Sequence, residues 1–178
     1  MQIARRSVLI GGLGGLASLS AAGRAAATLV TDVNTLSFYN LHTAETLKVT
    51  YREHGDIVPG TLEAVNHLLR DFRTDEVHTI DVELLDTLSL LYDQFGRRGR
   101  FEIISGYRSP QTNEALRQVT TGVAKKSLHL SGRAIDIRST AAKTTELRAA
   151  ALKLQRGGVG YYAKSNFVHI DTGAFRAW

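Results

Sequence analysis

Ser127-Leu128-His129-Leu130-Ser131-Gly132-Arg133-Ala134-Ile135-Asp136-Ile137-Arg138 is the stretch on which the fold turns. Successive side chains of an extended chain face opposite ways, so Ala134, Asp136 and Arg138 share one face and Ile135 and Ile137 the other. One apolar and one polar face is the pattern of a strand in a sheet covered on one side. Phe167-Val168-His169-Ile170-Asp171 repeats the arrangement, with Phe167, His169 and Asp171 opposite Val168 and Ile170. If the two strands are neighbours with polar faces aligned, Asp136 and His169 converge. Gly132 frees the backbone to fold back and carry His129 to the same point.

Outward from this pair, Thr35–Tyr51 alternates about His42-Thr43-Ala44 and predicts a hairpin. Leu62, Val65, Leu68, Leu69 and Phe72 recur at helical spacing and predict a helix over Thr61–Phe72. A second helix follows Asp81 as its cap and stops at Gly96. Phe101–Ser105 reads as a strand, and a short helix begins after Pro110 and runs through Leu116. Thr120–Lys126 reads as a polar loop and Thr144–Leu154 as an amphipathic helix. The glycines from Gly157 to Gly160 read as a turn into Tyr161-Tyr162. Helices early, strands late and no βαβ rhythm predict a single α+β domain: a small antiparallel sheet with helices packed on one side.

Two imidazoles and a carboxylate, His129, His169 and Asp136, form a three-ligand set. Such a set suits Zn²⁺ with its fourth position open, as in catalytic sites, whereas structural sites close the shell with thiolates. The chain has no cysteine, which removes thiolate zinc sites, a disulfide framework and a lipid anchor on a processed cysteine. His42, His54, His67 and His78 have no partner at ligand spacing.

The amino terminus reads as an export signal. Arg5-Arg6 runs into the apolar stretch Val8–Ala22, which holds four glycines and leads to Ala25-Ala26-Ala27. A membrane span needs about 20 predominantly apolar residues, so residues 1–27 are expected to be a cleaved twin-arginine signal and not a stable membrane anchor. The domain is then 28–178. Arg5, Arg6 and Arg24 leave with the signal, so of 22 Lys and Arg 19 remain against 17 acidic residues. No basic stripe stands out, which argues against nucleic-acid binding. About 150 residues suffice for one domain burying roughly 70% of its unfolded surface without disulfides.

Ser127 to Asp136 resembles the Ser-x-His-x-x-Gly-x-Ala-x-Asp motif of the LAS zinc peptidases, named from lysostaphin, D-alanyl-D-alanine peptidases and the hedgehog amino-terminal domain. Ser105-Gly106-Tyr107-Arg108-Ser109 resembles an element of the D-alanyl-D-alanine carboxypeptidase branch. Gly157 to Tyr162, Phe167 to Gly173 and Asn40-Leu41-His42-Thr43 resemble the exported YcbK-like murein endopeptidases. The resemblance implies a hedgehog/D-Ala-D-Ala peptidase-like fold, one zinc ion per chain on His129, Asp136 and His169, and endopeptidase hydrolysis of the peptide cross-links between peptidoglycan stem peptides in the periplasm. It also implies that Arg108 polarises the scissile carbonyl or holds a substrate carboxylate, with Tyr107 and Ser127 beside the substrate.

Many LAS carboxypeptidases place an acidic general base three residues before the last histidine, where this chain has Asn166. An amide accepts no proton at neutral pH. Asp171 is the replacement expected from its strand face, the alternative being that it orients a ligand by a hydrogen bond. A D-alanyl-D-alanine carboxypeptidase and a non-catalytic zinc-bearing wall-binding module are the other readings of the whole chain.

Overall fold

The alternation seen in sequence builds a single eight-stranded sheet in the computed structural model, which describes residues 33–178. The strands are β1 (Val33–Asn40), β2 (Thr46–Glu53), β3 (Asp56–Ile57), β4 (Phe101–Ser105), β5 (Ala134–Ser139), β6 (Gly158–Tyr162), β7 (Phe167–Asp171) and β8 (Arg176–Ala177). Their spatial order is β3-β2-β1-β4-β5-β7-β6-β8. Four helices accompany them: α1 (Thr61–Leu68), α2 (Val82–Gln94), α3 (Pro110–Val119) and α4 (Thr144–Leu154). The expected export signal, residues 1–27, lies outside the described residues. Among those residues, no helix is long and apolar enough to cross a membrane.

The fold is α+β, as expected, but its sheet is mixed and wider than the expected small antiparallel one. β1 pairs with β4 in parallel and β6 with β8 in parallel. The first parallel pair follows from the connection: α1 and α2 stand between β1–β3 and β4, and a crossover that long can return the chain in the same direction.

The core lies on the isoleucine face. Ile135, Ile137, Val168 and Ile170 are buried there with Leu84, Leu88 and Leu91 of α2 and Leu147 of α4. α2 and α4 also touch each other. Each such side chain contributes about 1.5–3 kcal/mol relative to exposure, so this face dominates stability. Asp81 caps α2 as expected, its Oδ1 accepting from Glu83 N at 3.0 Å.

Three local expectations change. α1 ends at Leu68 and not at Phe72, because Asp71 binds the chain around it into a turn: its carbonyl accepts from Thr74 N and Asp75 N, and its Oδ1 from Arg73 N. The glycine-rich Gly158–Tyr162 is a strand, paired with β7 from Val159↔Ile170 to Tyr162↔Phe167. α3 contributes Leu116 to the wall of a cleft over the polar part of the sheet, so it does not share the packing of α2 and α4.

Candidate metal centre and its cleft

Register makes the site. Asp136 and His169 are direct cross-strand partners in the antiparallel pair β5–β7, and Ser105 and Gly160 flank them on β4 and β6. His129 comes from a 3₁₀ turn, Leu128–Ser131, which Ser127 caps and which ends at Gly132 in the left-handed conformation, φ 66°. That φ favours glycine, and a Cβ there would also run into the Thr79 carbonyl. Gly132 thus places His129 as expected.

Both imidazoles have fixed roles. His129 Nδ1–H donates to the Gly106 carbonyl at 2.6 Å, which turns Nε2 toward the other two residues. Gly106 is small for a reason, since a Cβ would sit 2.5 Å from the Leu69 carbonyl oxygen. His169 Nε2–H donates to Asp171 Oδ2 at 2.9 Å, which leaves Nδ1 facing Asp136. His129 Nε2, His169 Nδ1 and Asp136 Oδ1 then stand 3.2, 3.3 and 2.8 Å apart.

With both rings neutral and their protons committed elsewhere, these three atoms are all acceptors. Acceptors this close repel unless a cation or a proton lies between them. Ligands about 2.0–2.1 Å from Zn²⁺ in a tetrahedral shell lie roughly 3.3 Å from one another, so the spacing fits a small divalent ion. His129, Asp136 and His169 form the group that can hold a metal among the described residues, and all three are buried.

The local charges agree with that use at Asp136 and His129, while at His169 a bound ion would have to displace a proton. Burial alone would raise the Asp136 pKa, but His129 and then His169 outweigh it and hold the carboxyl well below the usual carboxylate range. Burial lowers the His129 pKa more than Asp136 raises it, which favours the neutral imidazole that a metal needs. For His169, burial pushes down, but bonds to Asp136 and Asp171 prevail and its pKa is raised.

Arg108 reaches the same place. Its backbone N–H donates to the His129 carbonyl, and Nη2 stands 3.3 Å from Asp136 Oδ2. The residue is 9% exposed, and its buried Nε has no partner. Arg108, Ser127 and the metal group border one cleft of about 820 Å³.

Two expectations need correction. Tyr107 is 5% exposed and is not part of the cleft wall. Its hydroxyl donates to Glu76 Oε1 at 2.6 Å, and its ring meets His78 edge-on, so it fastens the loop after α1. Asp171 does not fit the general base. It lies behind His169, on the Nε2 side, and is 1% exposed. Oδ1 accepts from Gly158 N, Gly173 N and Arg176 Nη1, and Oδ2 from Arg176 Nη2 as well as His169. Burial would raise its pKa, but these bonds, that of His169 foremost, hold it well below the usual range. A carboxylate so satisfied is a poor proton acceptor, and its link to the metal group is the bond to His169 Nε2. Asn166 does not border the cleft, and its amide oxygen accepts from Thr144 Oγ1 in a turn before β7.

Four cleft residues escaped the sequence reading: His42, Arg73, Arg176 and Trp178. His42 Nε2–H donates to the Ile104 carbonyl at 3.0 Å. Arg176 grips Asp171, and the Trp178 ring stands 5.3 Å from the His169 ring. The only sequence signal for any of them was the Asn40-Leu41-His42-Thr43 segment.

Comparison with known proteins agrees with the geometry. The family model described as Peptidoglycan L,D-endopeptidase MepK, of the M15 peptidases, matches residues 28–178. Peptidoglycan L,D-endopeptidase MepK of Escherichia coli strain K12 is 43% identical over 143 residues, which are 80% of this chain and 79% of the relative. Probable peptidoglycan L,D-endopeptidase MepK of Haemophilus influenzae is 39% identical over 144 residues, 80% of this chain and 77% of the relative. No solved structure matches the chain significantly. On the family match and these identities, the chain belongs to the peptidoglycan L,D-endopeptidase MepK family of M15 peptidases.

Proposed function

We propose that this chain is an exported zinc-dependent endopeptidase that hydrolyses peptide cross-links of peptidoglycan, with His129, Asp136 and His169 as the metal ligands. The observation that carries the reading is the three mutually close acceptors, 2.8–3.3 Å apart, beside Arg108 on the floor of a cleft. The relatives' names supply the substrate and the L,D bond type. Residues 1–27 are proposed to be the twin-arginine signal that delivers the domain to the periplasm. The family match beginning at residue 28 supports that boundary.

A divalent ion bound by the three residues supplies Lewis acidity toward the peptide carbonyl and its attacking water. The chain supplies the rest. Gly106 and Asp171 fix the two imidazoles with one nitrogen of each turned to the centre, so the ligands need no rearrangement. Arg108 offers a buried cation beside the centre, where negative charge develops on the carbonyl oxygen. Asp171, with Arg176 behind it, orients His169 and moves no proton. Ser127 borders the peptide.

Purified cross-linked muropeptides test the reading. Dimers should become monomers with the protein alone and stay dimers with a chelator. Release of terminal D-alanine with dimers intact would mean a carboxypeptidase. Bound metal with no turnover at all would mean a wall-binding module.

A further inference from the structure

Beyond the centre itself, the cleft has an unbalanced wall. Arg73, Arg108, Lys126, Lys164 and Arg176 border it, while its carboxylates among the described residues are Asp136 and Asp171 alone. Asp136 faces the histidines, and Asp171 is held by Arg176. Arg73, Lys126 and Lys164 make no ion pair with any described residue.

Arg73 stands out because its position is built. The turn carrying it is organised by Asp71, 1% exposed, whose Oδ1 accepts from Arg73 N at 3.0 Å. Oδ2 of the same carboxylate accepts from Ser109 N at 2.8 Å and Ser109 Oγ at 2.7 Å. Ser109 follows Arg108, so one buried carboxylate fixes both arginines' backbones.

The Arg73 side chain is fixed as well. Its guanidinium carbon lies 4.1 Å from the Phe72 ring centroid, and the His42 ring stacks on Phe72 with centroids 3.7 Å apart and planes 7° from parallel. Two groups that near one centroid occupy opposite faces, so Phe72 is sandwiched and His42 is the backing, anchored by its bond to the Ile104 carbonyl. A cation–π contact of this kind is attractive because the ring face carries partial negative charge. It holds the guanidinium without neutralising it. Because Asp71 binds the Arg73 and Ser109 backbones on one carboxylate, Arg73 and Arg108 enter the same cleft from one place. A carboxylate between them would answer both.

We propose that Arg73 is a specificity-determining residue, forming with Arg108 a site for a free carboxylate of the peptide beside the scissile bond. The proposal rests on the peptidase reading above and adds to it what the enzyme requires of its substrate. The carboxylate of a stem-peptide residue meets that requirement, and the corresponding amide does not, because an amide brings no charge to a paired guanidinium site.

The test uses two synthetic cross-linked stem peptides that differ only in whether the carboxylate next to the scissile bond is free or amidated. The zinc-loaded full chain, Arg73→Gln and Arg73→Lys are compared on both, by kcat/KM and by calorimetric binding. Amidation is expected to lower the wild-type kcat/KM about 10-fold or more, mostly through KM, and to change Arg73→Gln less than about twofold. Arg73→Lys should fall between, since an ammonium keeps the charge but loses the planar fork. Equal losses for Arg73→Gln on both peptides, or no effect of amidation on the wild type, would overturn the proposal. If the wild type cleaves neither peptide, the peptidase reading fails, and the binding comparison still decides whether Arg73 reads the carboxylate.

Discussion

The two faces of β5 and β7 are built from alternate residues of the same two strands, yet they follow different rules. On one face Ile135, Ile137, Val168 and Ile170 need only to be apolar and of suitable volume to fill the space under α2 and α4. On the other, Asp136 and His169 need particular atoms at particular distances, and those are set by Gly106, His129 and Arg176 from outside the two strands and by Asp171 at the end of β7. The first face carries stability, and the second stores acceptors close together for a cation to relieve. The same backbone can therefore lose either property while keeping the other.

The sharpest way to break the comparison is His169→Ala. Activity on cross-linked muropeptides should fall to the level of the chelated wild type, while thermal unfolding of the metal-free protein should change little, since the variant removes one of three crowded acceptors. Ile135→Ala should do the reverse. It leaves a cavity under α2 and α4 and costs about 2–5 kcal/mol in denaturant unfolding, with the zinc affinity of the folded fraction retained.

A smaller effect probes the support behind the metal face. Asp171→Asn keeps the size but weakens the bond that fixes the His169 tautomer, so zinc affinity should drop about 10- to 100-fold in a competitive chelator titration. Were Asp171 the proton carrier instead, kcat would collapse with affinity unchanged.

The smallest effect concerns Asp71. Burial would raise its pKa, but bonds from Thr112, Ser109 and Arg73 outweigh it and leave it lowered. A carboxyl with a lowered folded pKa contributes stability that is present above its unfolded value of about 3.9 and lost as pH falls through the folded value. Wild-type stability should therefore fall more steeply below about pH 4 than that of Asp71→Asn, in urea unfolding across pH.

The legibility of the sequence followed the same division. The alternation in Ala134–Arg138 and Phe167–Asp171 located both strands and the convergence of Asp136 with His169, because a period of two is a local property. Gly158–Tyr162 hid a strand, since two of its five residues are glycines, which signal a turn more readily than a strand without β7 as partner. Parallel pairing of β1 with β4 left no local trace, because it depends on how far α1 and α2 carry the chain. At the site, strand alternation put Asp171 on the face of His169 but gave no indication that it meets Nε2, the nitrogen away from Asp136. Phe72 fitted helical spacing, and only Asp71's capture of Ser109 and Arg73 shows why the chain there turns and presents Phe72 to His42.

The central claim is that His129, Asp136 and His169 together hold one ion on which hydrolysis depends. Zinc content per chain, measured by elemental analysis on the wild type and on Asp136→Ala after identical zinc loading and dialysis, tests it most directly. The account predicts one zinc per wild-type chain and essentially none in the variant. Equal zinc in both proteins would contradict it.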